Sequence, residues 1–457
     1  MVTSIKERFA YDIREGIDWI NEKILAIQLL FGIGIYGIGI SFFGTFENNY
    51  LTLYFQNQGL LVADQGLYFA VSLGAGAIVF MLGALLGGVF SDDLRTRYGS
   101  RIPVIVVSSI LAGLIMIFAG PILSILGNDL TAYVLLFIAI HFLLGLAASP
   151  WYALVSDLLS KERRSWSALV TASLMTVGAG IGVFAIGPLI QNYVIFLWPV
   201  NGLLVIIFTV ISAILIPKVN PDFEPDSTLG DLLNSPRYLL NFGKGDFSKL
   251  FGISLLWGIS ATSLSSFFTF YVRNLGWYLL DPMAGEISIR TLMLITAVTG
   301  FVVAIPAGFL CNLLGKAKTG ILGSLALALY FITLLLSQSY ESLRLVAILG
   351  GIGGILLTTV GVALPADLMP EGKEGQFWSF ILISRQISAP IALAIGGILI
   401  FAFNNFILLF VFNAGLMLLA ALGTAFIAYE NLSVPEYLLF HRRFLRSSNT
   451  KTIRERS

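Results

Sequence analysis

The sequence predicts an all-α integral membrane protein, with twelve transmembrane helices arranged as two pseudo-symmetric halves of six, and three observations carry that expectation. Of 457 residues, 57% are hydrophobic and only 12% are charged, which is too apolar for a soluble chain of this length. The apolar residues fall in long runs, and twelve membrane helices of ~20 residues would use roughly 240 positions, close to the supply. A single long polar break divides the runs six and six.

Composition also excludes other classes. The 27 basic and 26 acidic residues leave a net charge of +1, without the surplus that phosphate neutralisation requires, so no nucleic-acid partner is expected. One cysteine, Cys311, cannot form an internal disulfide. Membrane strands are set aside because the runs are too long and lack two-residue alternation.

In chain order, residues 1–23 carry Lys6, Arg8, Arg14 and Lys23, with Phe9, Ile13, Ile17 and Ile20 at helical spacing. This pattern predicts an amphipathic helix on the membrane surface rather than a cleaved signal peptide. The first half, 24–216, contains apolar spans at roughly 28–55, 67–90, 102–125, 130–154, 165–190 and 193–216. The break at 217–248 holds Pro217, Pro221, Pro225 and Pro236 among mixed charges and reads as a linker. The second half, 249–429, contains spans at roughly 249–275, 289–313, 319–337, 343–365, 376–402 and 405–429, before a basic tail at 430–457.

Lysine and arginine set the orientation, because cytoplasmic loops hold the positive excess. Of the 27, 23 fall on one side: the N-terminal segment, the loops after every second span, the linker and the tail. Arg273, Arg290 and Arg344 lie at the opposite ends, and Arg385 lies within a span. Both termini are therefore expected in the cytoplasm, in a multi-pass protein of the cell membrane. The halves echo each other: Ala153-Leu154-Val155-Ser156-Asp157-Leu158 ends the fourth span, and Ala363-Leu364-Pro365-Ala366-Asp367-Leu368 ends the tenth. Gly88-Val89-Phe90-Ser91-Asp92 after the second span parallels Gly308-Phe309-Leu310-Cys311-Asn312 after the eighth. Duplicated halves in the same order suit rocking around a central site.

The stretch from Gly88 to Pro103, with Ser91, Asp92, Arg95, Arg97, Gly99 and Arg101, resembles the cytoplasmic loop signature of the major facilitator superfamily. It is similar, more narrowly, to the version in glycoside-pentoside-hexuronide cation symporters and plant-type sucrose transporters. Pro150 to Leu158 and Ala363 to Gly375 resemble segments after the fourth and tenth helices of those families. The resemblance implies the major facilitator fold and a conformational latch in which Asp92 meets the start of the eleventh span near Gly375. Physically, a carboxylate at one helix end can face the positive N-terminus of a helix in the other half, with Arg95, Arg97 or Arg101 pairing nearby. Asp157 and Asp367 join this latch set. A purely topological role for the loop is the alternative. In the second half Asn312 replaces the aspartate and the basic cluster shrinks to Lys316 and Lys318, so any latch there should be weaker.

Ionisable residues inside spans are costly and usually retained for function. Glu47, within Phe46-Glu47-Asn48-Asn49-Tyr50, is expected to face the interior and to bind a proton, a cation or a polar substrate group. Pairing with Arg385 and a place at the outer rim are its alternatives. His141 is expected either to contact solute or relay a proton, or to close an interhelical hydrogen bond. Arg385, beside Gln386, is expected to anchor a carboxylate, to act as counter-ion to Glu47, or to snorkel. Tyr50, Tyr54, Trp151, Tyr152, Trp257, Phe267, Phe270 and Tyr271 are aromatic candidates for the cavity.

Span 67–90 contains no acid, whereas the cation symporters it resembles place their coupling cation there; the coupling ion expected here is H+ through Glu47, with uncoupled transport as the alternative. Gly32-Ile33-Gly34-Ile35-Tyr36-Gly37 fits a dinucleotide fingerprint but lacks a preceding strand, so close helix approach is the better reading. Gly178, Gly182, Gly187 and Pro188 match an antiporter motif only in part, because Gln191-Asn192 replace its glycines. No cofactor, metal or enzymatic activity is expected. The predicted function is secondary active transport of a small polar solute, a sugar or glycoside, by a monomer in the bilayer. A drug, lipid or organic-anion exporter of the same superfamily is the alternative, and a non-transporting membrane sensor the next.

Overall fold

The computed structural model describes residues 25–47, 62–126, 130–192, 196–217, 246–369, 373–403 and 406–430. The expected surface helix 1–23, most of the 217–248 linker and the tail beyond 430 lie outside the described residues. The first half contains α1 (Leu25–Thr45, continuing helically through Glu47), α2 (Val62–Asp93), α3 (Ile102–Ile117), α4 (Ala119–Leu126), α5 (Leu130–Leu158), α6 (Lys161–Asn192) and α7 (Leu197–Leu215). The second contains α8 (Asp246–Arg273), the short α9 (Gly276–Leu280), α10 (Pro282–Leu313), α11 (Lys316–Leu336), α12 (Tyr340–Leu368), α13 (Glu374–Phe403) and α14 (Phe406–Glu430).

Eleven of these helices are long and apolar enough to cross a membrane, twelve if the bent pair α3 and α4 counts as one span. The expected continuous span at 102–125 is thus corrected to two helices meeting at 64°. Pro121 supplies the reason, since it lacks an N–H and its ring presses on the carbonyl of Ile117, four residues back. Leucine, isoleucine and phenylalanine remain exposed around the bundle, Ile214 at 73% and Leu336 at 80%, as expected where lipid is the solvent.

The packing repeats between halves. In the first, α2 lies on α5, and α3 packs against α7 and α5; in the second, α10 lies on α12, and α11 packs against α14 and α12. Two bundles of the same order then meet through α2 with α13 and α6 with α10, a reciprocal exchange of equivalent helices. Small residues allow the closest approaches. A Cβ on Gly83 or Gly87 would run into the backbone of Phe142 or Leu146 on α5, and one on Gly145 into the backbone of Phe80 on α2. Gly32, Gly34 and Gly37 press α1 against Leu215, Thr171 and Met175, so the fingerprint-like glycines serve helix contact. Gly178 and Gly182 of the partial antiporter motif do the same against Ile38 and Thr45.

Candidate functional site

One polar group lies within the first half, and a second polar group and a charged closure lie where the halves face one another. The first polar group joins α1 to α5. His141 Nδ1 is 2.8 Å from the carbonyl oxygen of Phe137, one turn earlier on the same helix. A carbonyl oxygen only accepts, so Nδ1 carries a hydrogen. His141 Nε2 is 2.7 Å from Glu47 Oε1, and both side chains are largely buried, at 10% and 13% exposure. With Nδ1–H fixed, that short contact is a hydrogen bond only when one proton lies between Nε2 and Oε1, as imidazolium and carboxylate or as imidazole and carboxylic acid. Phe43 and Phe137 flank the imidazole at 6.2 and 5.8 Å between centroids. Gly76 completes the slot, because a Cβ there would stand 3.2 Å from the ring. Glu47 therefore pairs with His141, not with Arg385; Asn48, Asn49, Tyr50 and Tyr54 lie outside the described residues.

Arg385 is the second group. It stands 11 residues along α13, about 16 Å from the helix start. Its Nη2 donates to the Gly361 carbonyl on α12 at 2.6 Å, and its guanidinium carbon lies 6.0 Å from the ring centroid of Tyr152 on α5. Tyr152 stacks on Trp378 at 4.9 Å and touches Trp151 at 4.6 Å, making a buried aromatic stack from both halves. Trp151 is itself fixed by donating Nε1 to the Ile33 carbonyl at 2.7 Å. Gln386 is half-buried beside Arg385. Among the described residues, no carboxylate pairs with Arg385.

The basic end is closed by a network centred on Asp92 and Arg101. Asp92 Oδ1 accepts from the Gly375 N–H at 3.1 Å and Oδ2 from the Gln376 N–H at 3.0 Å, at the start of α13. Those N–H groups have no partner within their own helix and carry its positive end, so an anion suits them. Arg101 reaches Asp92, donates Nε to Asp157 Oδ2 at 2.7 Å and Nη1 to Ser91 Oγ at 2.8 Å, and has Nη2 3.6 Å from Glu374. Burial works against the charged guanidinium, but Asp157 and Asp92 outweigh it and raise Arg101 above the usual arginine range. It is charged at any working pH. Gly88 and Gly375 are required by proximity: a Cβ on Gly88 would collide with Ser379 and the Gly375 carbonyl, and one on Gly375 would stand 2.7 Å from Arg101. Gly99 turns the loop at φ 90°, a left-handed conformation that favours glycine.

Not every loop arginine joins that network in the same way. Arg95 donates to the Asp92 and Leu94 carbonyls at 2.9 and 3.1 Å, capping α2, and Arg97 lies 4.7 Å over the Tyr98 ring. A second closure forms around Asp367, which Lys316 and Arg164 both reach, the latter at 3.3 Å. Arg164 also donates to the Ala366 carbonyl at 2.7 Å across the halves.

Among the aromatic candidates, Trp257 donates to Ser324 Oγ at 2.9 Å, and Tyr271 donates to the Ser337 carbonyl at 2.9 Å near the end of α11. Their polar atoms are thus committed to packing within the second half. Phe267 presses on Gly396, and the side chain of Phe270 is outside the described set. Ser149, Ser379 and Trp378 did not stand out in the sequence. Ser149 donates to the Gly375 carbonyl at 2.5 Å, Ser379 to Ala84 at 2.7 Å, and Trp378 Nε1 to Ser156 Oγ at 3.2 Å, all between halves. Their signal was the four-residue spacing of Gly375 with Ser379 and of Ala84 with Gly88, the mark of closely apposed helices.

Residues 262–438 match the family model described as Major Facilitator Superfamily. No curated protein matches in sequence. The fold is similar to the crystal structure of the human organic anion transporter MFSD10 (TETRAN), with TM-score 0.68 and 14% identity over 88% of this chain and 99% of that one. It is also similar to the proton:xylose symporter XylE bound to 6-bromo-6-deoxy-D-glucose (TM-score 0.65, 11% identity, 87% and 94% covered). A third is the transporter FucP in the outward conformation (TM-score 0.64, 12% identity, 88% and 98% covered). At these identities the likeness is one of fold.

Proposed function

We propose that the chain is a secondary transporter of the major facilitator superfamily that moves a small polar solute, a sugar or glycoside, coupled to H+; the match of residues 262–438 to the family model supports this reading. The solute is held between residues 1–216 and 249–457 of a single monomer, which rock to expose it alternately. The observation that supports proton coupling is the Glu47–His141 contact, which is a hydrogen bond only with one proton between the two side chains. Losing that proton sets a carboxylate against an imidazole lone pair, so binding and release are tied to a change in the local packing of α1 against α5. The sugar class is supported by the resemblance of the loop segments at Gly88–Pro103 and Ala363–Gly375.

The closure at the basic end supplies the other half of the cycle. With that end in the cytoplasm, as its positive excess suggests, the described conformation is closed to the inside, and Asp92, Arg101, Asp157, Glu374 and Asp367 are the contacts that opening must break. Uptake into proteoliposomes across a panel of sugars, organic acids and lipophilic cations, with and without an imposed pH gradient, tests the reading. Accumulation should follow the gradient, and Glu47→Gln should abolish pH-driven accumulation while exchange stays measurable. Accumulation like that of the wild type in this variant would reject proton coupling through Glu47.

A further inference from the structure

We infer that a groove between the starts of α10 and α12 binds one phospholipid whose headgroup carries both a phosphate and a primary ammonium, as phosphatidylethanolamine does. The groove has a volume of about 700 Å³ and is lined by Ile295 of α10 and by Glu341, Ser342, Arg344, Leu345 and Ile348 of α12. It lies at the ends of these helices opposite the closure of Lys316 and Asp367.

The groove opens away from the junction of the halves. An added Cβ on Gly300 would stand 3.8 Å from Thr176 of the first half, and Ala304 and Ala307 on that side of α10 are buried. Ile295, Val298, Val302 and Ile305 follow one another at the spacing of a single helix face, opposite Gly300. The last three are 52, 64 and 59% exposed, and Leu345 across the groove is 69% exposed. On a membrane helix such a stripe meets acyl chains. From Ile295 to Ile305, α10 rises about 15 Å, half of the ~30 Å hydrocarbon core and so the depth of one leaflet. Trp277 and Tyr340 pack at 5.7 Å between centroids beside the groove, and rings of this kind gather at headgroup level.

The charges at the mouth select the headgroup. Arg344 Nη1 donates to both carboxylate oxygens of Glu341, at 3.0 and 3.3 Å, and its guanidinium carbon lies 5.9 Å from the Tyr340 ring centroid. Arg344 Nε and Nη2 donate to no described residue. The two side chains are 50 and 75% exposed, so a ligand reaches both, and an exposed pair of this kind contributes little to stability. Because α12 starts at Tyr340, Arg344 stands about 4.5 Å deeper than Glu341. A phospholipid presents its groups in the same order, phosphate next to the glycerol and amine beyond it. The unused guanidinium donors meet the phosphate, the ammonium donates to Glu341, and a chain lies along the stripe below. The trimethylated amine of phosphatidylcholine has no N–H for Glu341, and phosphatidylglycerol has no cation to set beside it.

Native mass spectrometry of the full-length protein in detergent tests the site, with phosphatidylethanolamine, phosphatidylcholine and phosphatidylglycerol of identical chains added in turn. Wild type is expected to retain one phosphatidylethanolamine, at least tenfold more readily than either other lipid. Glu341→Gln should bring it down to the level of phosphatidylcholine, and Arg344→Gln should weaken all three. Ile295→Trp fills the groove while leaving both charges in place, and should lower retention about tenfold. Glycerophosphoethanolamine, the same headgroup without chains, should not displace the lipid; displacement at equal concentration overturns the part assigned to the apolar stripe. Equal retention of the three lipids by wild type, or a preference unchanged in Glu341→Gln and Ile295→Trp, overturns the site. A preference for phosphatidylglycerol that is lost in Arg344→Gln overturns the ethanolamine assignment. These readouts need no solute flux, so they succeed or fail separately from the transport reading.

Discussion

At the residue scale, the chemistry concentrates where charge is scarce. The hydrogen on His141 Nδ1 is fixed by its carbonyl partner, so Nε2 and Glu47 Oε1 share one hydrogen bond and should act together in the proposed cycle. His141→Gln keeps a hydrogen-bonding side chain but cannot become a cation. It is expected to abolish pH-driven accumulation to the same extent as Glu47→Gln, with the double variant no worse than either single one. Additive losses in proteoliposome uptake would show two separate roles. Gly99, at φ 90°, is a second single-residue case: Gly99→Ala should lower stability by about 1–2 kcal/mol, read as a drop in the thermal midpoint of purified protein. Glu47 and His141 were each visible in the sequence as ionisable residues within apolar runs. Their pairing was not, because it depends on how α1 is rotated and how far it is shifted along α5.

At the element scale, α2 and α5 touch backbone to backbone. A Cβ on Gly87 would lie 2.8 Å from the Cα of Leu146, and rigid main chain cannot yield as a side-chain end would. Gly87→Ala should therefore lower the thermal midpoint by several degrees, whereas Gly354→Ala on α12, where an added Cβ meets nothing within 4 Å, should leave it equal or slightly higher, since alanine is the better helix former by about 0.8–1.0 kcal/mol. Equal midpoints in the two variants would show that the close approach at Gly87 does not govern stability. The helices themselves were readable from apolar runs, because lipid forces any such run to satisfy its own hydrogen bonds. The bend between α3 and α4 was not expected from the apolar run at 102–125, which does not register Pro121 inside it. The fates of Trp257 and Tyr271 were not readable either, since a helix rotated by one residue exchanges a cavity-facing ring for a packed one.

At the scale of the whole molecule, two closures of unequal strength join the halves. Asp92 is buried and accepts two N–H groups from the start of α13 while pairing with Arg101. Charge-assisted hydrogen bonds of this kind contribute about 1.5–3 kcal/mol, so Asp92→Asn should shift the balance towards the state open at the basic end by roughly tenfold or more. Asp367 is 23% exposed, and its pairs with Arg164 and Lys316 are more solvated; pairs of that kind contribute about 0–1 kcal/mol. Asp367→Asn should shift the balance less. Single cysteines placed at the basic end of α2, in a background where buried Cys311 is replaced by alanine, would report both by their labelling rates. Equal rates in the two variants and the parent would remove the latch from the mechanism.

The sequence by itself determined nearly all of the apolar spans, the repeat between their two sets, the uneven placement of lysine and arginine between span ends, and the short set of ionisable residues within them. Each follows from local rules: the length of an apolar run, the placement of lysine and arginine, and the cost of charge in lipid. Tertiary structure alone decided the partners. Glu47 meets His141 rather than Arg385, Arg101 brings three acids and a helix start together, and Arg385 is left facing Tyr152 without an acid among the described residues. Those outcomes are set by helix rotation and depth, which side chains distant in the chain negotiate through packing and which no local pattern encodes.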